Sequence, residues 1–383
     1  MIVSHLGLRN WRNFRNVDVP LRNRVFLAGP NASGKSNFLD VFRFVRDIVK
    51  RGGGLQQAVE ERGGLSKIRC LAARKEPDVE IETRLANSDE DRPLWRYAIG
   101  IKQQQRGARL PYLVYERIWD RENQILDRPN EDDKKDEMRL TQTHLEQISA
   151  NERFRDLARF FESVLYQHLV PQLVRHPRAF TGPGVPGDPF GRNFLERVAR
   201  TPEKTRRSRL RKIEQALKTA VPQLKDLAEV KDEAGIPHLE AVYEHWRPMG
   251  AKQREDQFSD GTLRLIALLW SLLESEGLLL LEEPELSLNA AIVRALPSII
   301  YRLQRKLKRQ VVISTHSADL LSDKGIGGEE VLLLTPGPEG TEVQVASAIQ
   351  EVRDLLEGGF SVAEAVIPRT EPKAGQQLLL FDA

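Results

Sequence analysis

Apolar and polar positions fall into two strand patterns and one helical pattern along this chain. Val25–Ala28, Leu278–Leu281 and Val311–Ile313 are apolar at every position and run into glycine, acidic or hydroxyl residues. Such short unbroken runs predict strands buried on both faces, as in the middle of a parallel sheet. Ile2–Leu8, Val79–Leu85, Leu94–Ile101 and Leu113–Trp119 are strand-like with alternation, which predicts an antiparallel sheet in the first third of the chain. Leu227–Lys231 and His238–Tyr243, on either side of Asp232-Glu233-Ala234-Gly235-Ile236-Pro237, predict a hairpin. Helical spacing follows Gly29–Ser36 in Asn37–Phe44, and recurs over 141–176, where Leu157, Phe160, Phe161, Val164, Leu165 and Leu169 share a face. It appears again over Glu196–Leu217 and Leu263–Leu273. Arg51-Gly52-Gly53-Gly54, Arg62-Gly63-Gly64 and Thr181–Phe190 predict breaks, and the charge run Asn130–Glu137 predicts a solvated loop.

The expectation is an α/β protein with a mixed central sheet, an antiparallel lobe and a helical insertion. Its parts are a first lobe (1–120), a largely helical insertion (121–240), a second lobe (241–345) and a C-terminal helix with a flexible tail (346–383). Charge narrows the choice of partners: 58 basic against 55 acidic residues leave +3, so a nucleic-acid surface has to be local. Arg200–Lys212 is one candidate, with Arg200, Lys204, Arg206, Arg207, Arg209, Arg211 and Lys212 against Glu203; a solvated helix face is the alternative. The single cysteine, Cys70, excludes an internal disulfide and a cysteine-rich metal site. The N-terminus runs into arginine-rich polar sequence, unlike a secretory signal, and the most apolar window, Leu263–Leu281, is interrupted by Arg264, Glu274 and Glu276. A cytoplasmic protein with no membrane contact is expected.

Chemistry enters at Gly29-Pro30-Asn31-Ala32-Ser33-Gly34-Lys35-Ser36, which reads G-x-x-x-x-G-K-S between a strand and a helix. Glycines let the backbone wrap a phosphate, the helix N-terminus points N–H groups at it, and Lys35 adds a full charge. Asn31, Ala32, Ser33, Gly34, Lys35, Ser36 and Asn37 are therefore the nucleotide contacts, with Ser36 also a Mg²⁺ ligand.

Three later stretches supply the reaction. Leu278–Leu281 ends in Glu282-Glu283, and adjacent strand residues face opposite sides, so the two acids can do different work. Glu282 is assigned to Mg²⁺ through water and Glu283 to orienting and deprotonating the attacking water. Val311–Ile313 ends in Ser314-Thr315-His316, with His316 placed to contact the γ-phosphate or that water. Phe258-Ser259-Asp260-Gly261-Thr262 opens a helix, and Ser259 and Gly261 make a second anion site or simply a cap. If two copies pack head to tail, Ser259 and Gly261 of each reach the γ-phosphate held by the other.

With these pieces in order, the chain resembles the ABC-type ATPase heads of the RecF, SMC and OLD-like group, especially stand-alone RecF-type AAA ATPases. Gly29–Ser36 matches Walker A, Phe258–Thr262 the signature, Leu278–Glu283 Walker B, Pro284–Asn289 the D-loop and His316 the switch histidine. Leu8–Arg15 is similar to the opening L-x-N-F-R segment, which makes Arg12 or Arg15 a nucleotide or DNA contact. Asp260 stands where glycine is usual in the signature, Glu282 where aspartate is commoner, and Thr262 where glutamine is expected. For the Mg²⁺-sensing glutamine, Gln142 and Gln147 are the candidates. The resemblance implies ATP and Mg²⁺ as cofactors, an ATP-dependent homodimer, and DNA repair or genome maintenance as the setting. The alternative is an ATP-gated scaffold in an anti-phage or toxin system, working through an effector protein. Too little chain follows His316 for a TOPRIM nuclease domain, and Gln377-Leu378-Leu379-Leu380-Phe381 looks like a sliding-clamp peptide or a strand packed on its own domain.

Overall fold

The chain enters through a hairpin, β1 (Ile2–Trp11) and β2 (Phe14–Pro20), and passes into a central sheet with β3 (Arg24–Ala28). A 15-residue helix, Lys35–Val49, follows. Four strands, β4 (Val79–Ala86), β5 (Trp95–Gln103), β6 (Pro111–Asp120) and β7 (Asn123–Arg128), then complete an antiparallel sheet of order β2-β1-β4-β5-β6-β7. The next strand, β8 (Leu165–Gln167), belongs to the central sheet, whereas β9 (Leu224–Lys231), β10 (Pro237–Tyr243) and β11 (Ala251–Arg254) form a separate antiparallel one. The chain returns to the central sheet with β12 (Leu278–Glu282), β13 (Gln310–Thr315), β14 (Val331–Gly337) and β15 (Gly340–Val345), in the order β15-β14-β3-β13-β12-β8. Every pairing there is parallel except the β14–β15 edge hairpin. This computed structural model describes residues 1–370 apart from 74–77, 90, 105–108, 178–187, 245–249 and 275–276, so Gln377–Phe381 and most of 181–190 lie outside the described residues.

The central sheet separates two cores, and strand parity decides which residue serves which. Val25, Leu27, Leu278, Leu280, Val312, Leu332 and Leu334 face the helix Lys35–Val49 and the antiparallel sheet. Phe26, Ala28, Leu279, Leu281, Val311, Ile313, Val331 and Leu333 face the helices Asp260–Glu274 and Ala290–Leu307. Hence the unbroken apolar runs: both faces of each strand are covered. No leucine of β12 is more than 2% exposed, and burying each contributes about 1.5–3 kcal/mol.

Three stretches differ from the pattern-based expectation. Within 141–176 the central helix is only Arg155–Glu162, and Leu165 begins β8, where parallel pairing with Leu279 overrides helical spacing. The 196–217 stretch is two helices, Phe194–Arg200 and Glu203–Leu217, because Pro202 cannot continue the first.

The charge run at 130–137 is largely solvent-exposed as expected, except at Asp133, but it forms a short helix rather than a loop. Asn130 caps the helix Glu131–Lys135, and Asp133 is fully buried against Arg128 at 2.8 Å, which also pairs with buried Glu116 at 3.1 Å. Burial raises the Asp133 pKa, but hydrogen bonds from Arg128 and the Asn130 amide outweigh it and hold the carboxyl at about 2. Asp133→Asn leaves a buried arginine short of a partner, so a loss of about 3–5 kcal/mol is expected in denaturant unfolding. Because this carboxyl is depressed in the fold, its contribution is full above the unfolded value of about 4 and is lost as pH falls toward about 2. The wild-type and variant curves therefore stay parallel from pH 5 to neutrality.

Candidate nucleotide site

At the C-terminal end of β3 the chain turns sharply enough that two glycines are required. Gly34 has φ +96°, and a Cβ there would fall 2.1 Å from the Asn13 amide nitrogen. At Gly29 a Cβ would fall 2.6 Å from Ser33 Oγ and 2.7 Å from the Leu334 carbonyl oxygen. Asn13 pins the loop from outside, donating to the Ser33 carbonyl at 3.0 Å and to Thr341 Oγ1 at 2.7 Å while accepting from Asn37 at 2.8 Å. Trp11, fully buried, donates its indole N–H to the Asn37 carbonyl at 2.8 Å. The segment resembling L-x-N-F-R thus acts as a brace under the loop.

Arg12 belongs to that brace, pairing with Asp40 of the loop's helix at 2.7 Å, and Arg62 holds the same carboxylate. Burial raises the Asp40 pKa, and the surrounding arginines, Arg62 foremost, more than reverse the effect. Arg15 reaches Glu339 instead.

Lys35 lies under the loop, its ammonium donating to the carbonyls of Gly29 at 2.8 Å and Pro30 at 3.0 Å. Burial lowers its pKa, against the opposing pull of Glu283, Glu285 and Glu282. Among the described residues Ser33 Oγ is buried without a partner. A loop with an orphan hydroxyl and a lysine bonded to its own carbonyls suits a phosphate, whose oxygens accept from both.

Strand parity carries Glu282 to the side of Leu278 and Leu280, toward the loop's helix, where it meets Ser36. Ser36 donates to one carboxylate oxygen and the Tyr166 hydroxyl to the other. Among the described residues no three His, Cys, Asp or Glu side chains cluster to hold a metal. One carboxylate beside a serine suits Mg²⁺, which completes its shell with phosphate oxygens and water.

Glu283 leaves the strand with φ +45°, its amide bonded to the Ser314 carbonyl at 3.1 Å. Its carboxylate sits 3.1 Å from His316 Nδ1. The two residues at the ends of neighbouring strands therefore form one unit. Beneath them Glu285, 8% exposed, accepts from Thr315 Oγ1 at 2.5 Å, and burial raises its pKa.

Sequence reasoning missed Asn13, Tyr166, Gln167 and Glu285. The repeated acids of Glu282-Glu283-Pro284-Glu285 were a signal for the last. Tyr166 and Gln167 were hidden by the helical spacing of their neighbours. Gln167 ends β8 opposite Leu281, beside the Glu282 strand, with its side-chain oxygen buried and unpartnered among the described residues. Gln142 and Gln147 instead bond each other at 3.1 Å by the Arg128 cluster.

Ser259 and Gly261 stand apart from this group. The Ser259 hydroxyl accepts from the Thr262 amide at 3.2 Å, capping Asp260–Glu274, while Asp260 pairs with Arg175 at 2.6 Å. Gly261 is pressed against the D-loop, where a Cβ would fall 2.6 Å from the Ser287 carbonyl oxygen. Among the described residues no hydrogen bond joins Ser259 or Gly261 to 29–36 of the same chain.

The profile of a family described as "AAA domain, putative AbiEii toxin, Type IV TA system" matches residues 24–323. No curated protein matches the sequence. Among solved structures, a SmcHead bound to the C-winged helix domain of ScpA is similar, with a TM-score of 0.53 and 13% identity over 90% of this chain and 98% of that one. An Smc head domain with an extended coiled coil, bound to the C-terminal domain of ScpA from Pyrococcus furiosus, gives 0.51 and 12% over 93% and 99%. At such identities the likeness is one of fold.

Proposed function

We propose, from the premise that the chain belongs to this AAA-domain family and is a P-loop ATPase of SMC-head type, that two copies close head to tail around two ATP molecules and separate after hydrolysis. The observation that carries this reading is the divided site. One end of the central sheet gathers Lys35, Ser36, Glu282, Glu283 and His316, while the turn at Ser259–Gly261 sits against the D-loop, with no hydrogen bond to the phosphate loop among the described residues.

In this mechanism Lys35 exchanges the Gly29 and Pro30 carbonyls for β- and γ-phosphate oxygens, and the amides of 31–36 hold the rest. Ser36 and Glu282 would hold Mg²⁺, which when bound would supply positive charge to offset that on the transferring phosphoryl group. Glu283 accepts a proton from water as its oxygen bonds to the γ-phosphorus and the bond to the ADP oxygen breaks. His316, already 3.1 Å from that carboxylate, holds it and the γ-phosphate in line. Ser259 and Gly261 of the second copy bind the γ-phosphate from the other side, so its loss weakens the dimer.

Two outputs of this cycle are distinguishable. DNA is supported by the helix Glu203–Leu217, where Lys204, Arg207 and Arg211 lie exposed at helical spacing, flanked by exposed Arg200 and Lys212. Two cations of the same segment have internal work: Arg206 pairs with Glu229 at 3.1 Å and Arg209 bonds the Glu274 carbonyl at 2.6 Å. An effector protein is supported by the family's toxin–antitoxin description and by heads of similar fold bound to ScpA. Changing Lys204, Arg211 and Lys212 together to glutamine is expected to flatten the slope of log K against log salt for duplex DNA by about 2–3. An unchanged slope assigns the output to a protein partner. The sliding-clamp peptide stays a proposal on 377–381, and no described helix is long and apolar enough to cross a membrane.

A further inference from the structure

Among the residues not yet given a role, Tyr166 touches the Glu282 carboxylate directly. Its hydroxyl donates to Glu282 Oε2, and Ser36 donates to Oε1, so both oxygens of the carboxylate are held from the protein side. The ring is as firmly placed as the hydroxyl. Tyr166 is 6% exposed and pairs with Leu280 across the β8–β12 ladder. From the other side the Arg43 guanidinium lies 4.2 Å from the ring centroid. Arg43 stands on the phosphate loop's own helix, 3.7 Å from the Asp40 carboxylate that Arg12 and Arg62 also hold. One phenol therefore ties the β8 edge strand, the β12 carboxylate and the phosphate-loop helix into one rigid body.

We propose that Tyr166 is a positioning residue that fits a glutamate to the magnesium site, an inference resting on the Mg²⁺·ATP reading above. Glutamate carries one more methylene than aspartate, hence one more freely rotating bond between strand and carboxylate. A ligand on that longer arm samples orientations in which neither oxygen faces the metal. Anchoring Oε2 on a buried phenol removes them and leaves Oε1 beside Ser36, the other protein ligand. Partners that orient a metal ligand in this way typically account for a 10- to 100-fold part of metal affinity. Arg43 keeps the phenol in place through its ring face, which Tyr166→Phe preserves.

The test is a Mg²⁺ titration, starting from EDTA, of the full chain binding a fluorescent ATP analogue. In Tyr166→Phe the half-saturating Mg²⁺ concentration is expected to rise about 10-fold, with analogue affinity in EDTA and the melting curve unchanged. Glu282→Asp withdraws the carboxylate from the phenol and should itself raise the Mg²⁺ requirement. In that background Tyr166→Phe should then add less than about 2-fold, because no contact remains to lose. An unchanged Mg²⁺ requirement in Tyr166→Phe overturns the proposal, as does an equal loss in both backgrounds, which assigns the hydroxyl to packing alone. A wild-type chain that binds no analogue at any Mg²⁺ concentration refutes the ATPase premise instead, so the two failures are told apart.

Discussion

Glu283→Gln is expected to stop turnover while leaving ATP held between two copies. Glutamine matches the shape of glutamate and can keep the contact with His316 Nδ1, 3.1 Å away, but it cannot accept a proton from water. The backbone that aims the side chain is unaffected, because the Glu283 amide is bonded to the Ser314 carbonyl whatever the side chain. Losing a general base typically slows a reaction by about 10²–10⁴-fold, and the variant should fall in that range with ATP affinity unchanged or tighter. The more telling readout is size. If two copies close as proposed, Ser259 and Gly261 of each should stay engaged on the other while the γ-phosphate is retained, and the ATP-bound variant should run at twice the mass of the nucleotide-free form. A variant still monomeric at saturating ATP and high protein concentration removes the two-copy closure. Normal turnover removes the role given to Glu283.

Lys35→Ala should abolish nucleotide binding at working concentrations. The ammonium is held by two loop carbonyls, at 2.8 and 3.0 Å, in a site that also contains Glu282, Glu283 and Glu285. Removing it takes away the lysine charge under the loop and leaves the acids uncompensated against an anionic ligand. Truncating a buried charged partner costs about 2–5 kcal/mol, a loss of roughly 30- to 5,000-fold in affinity. The fold should survive, since Asn13, Trp11 and Gly34 shape the loop without the lysine. Because burial lowers the Lys35 pKa, wild-type affinity should also decline with rising pH before an ordinary lysine would lose its charge. Calorimetric titration of both proteins with ATP measures the two effects. Undiminished affinity in Lys35→Ala places the phosphates elsewhere.

The contrast between Glu282 and Tyr166 shows where sequence reasoning reaches and where it stops. Glu282 was legible because its environment is set by its own neighbours: four leucines before it make a buried strand, and alternation turns every second side chain to one face. Gly29, Gly34, Lys35 and Ser36 were legible for the same reason, since a strand, a turn and a helix N-terminus are built within a few residues. Tyr166 lies 116 positions from Glu282, inside a stretch whose apolar spacing is helical, and only the parallel register Tyr166–Leu280 brings the two together. Asn13 and Thr341, which brace the loop jointly, are 328 positions apart. Asp133 looked solvated because a charge run carries no sign of which cation will be buried beside it; Arg128 supplies that only after β7 turns back on β6.

Strand and helix periods, the glycines that tolerate the turn and the acids at the strand end are local properties, so the sequence by itself determined the fold class, the phosphate loop and the acids at the end of β12. Which groups brace that loop, which glutamine stands beside Glu282, and that Ser259–Gly261 packs on the D-loop rather than bonding the phosphate loop depended on the order and register of the central sheet. Register is a property of pairing between distant segments, settled by the burial of two faces at once, and no single stretch of chain carries it.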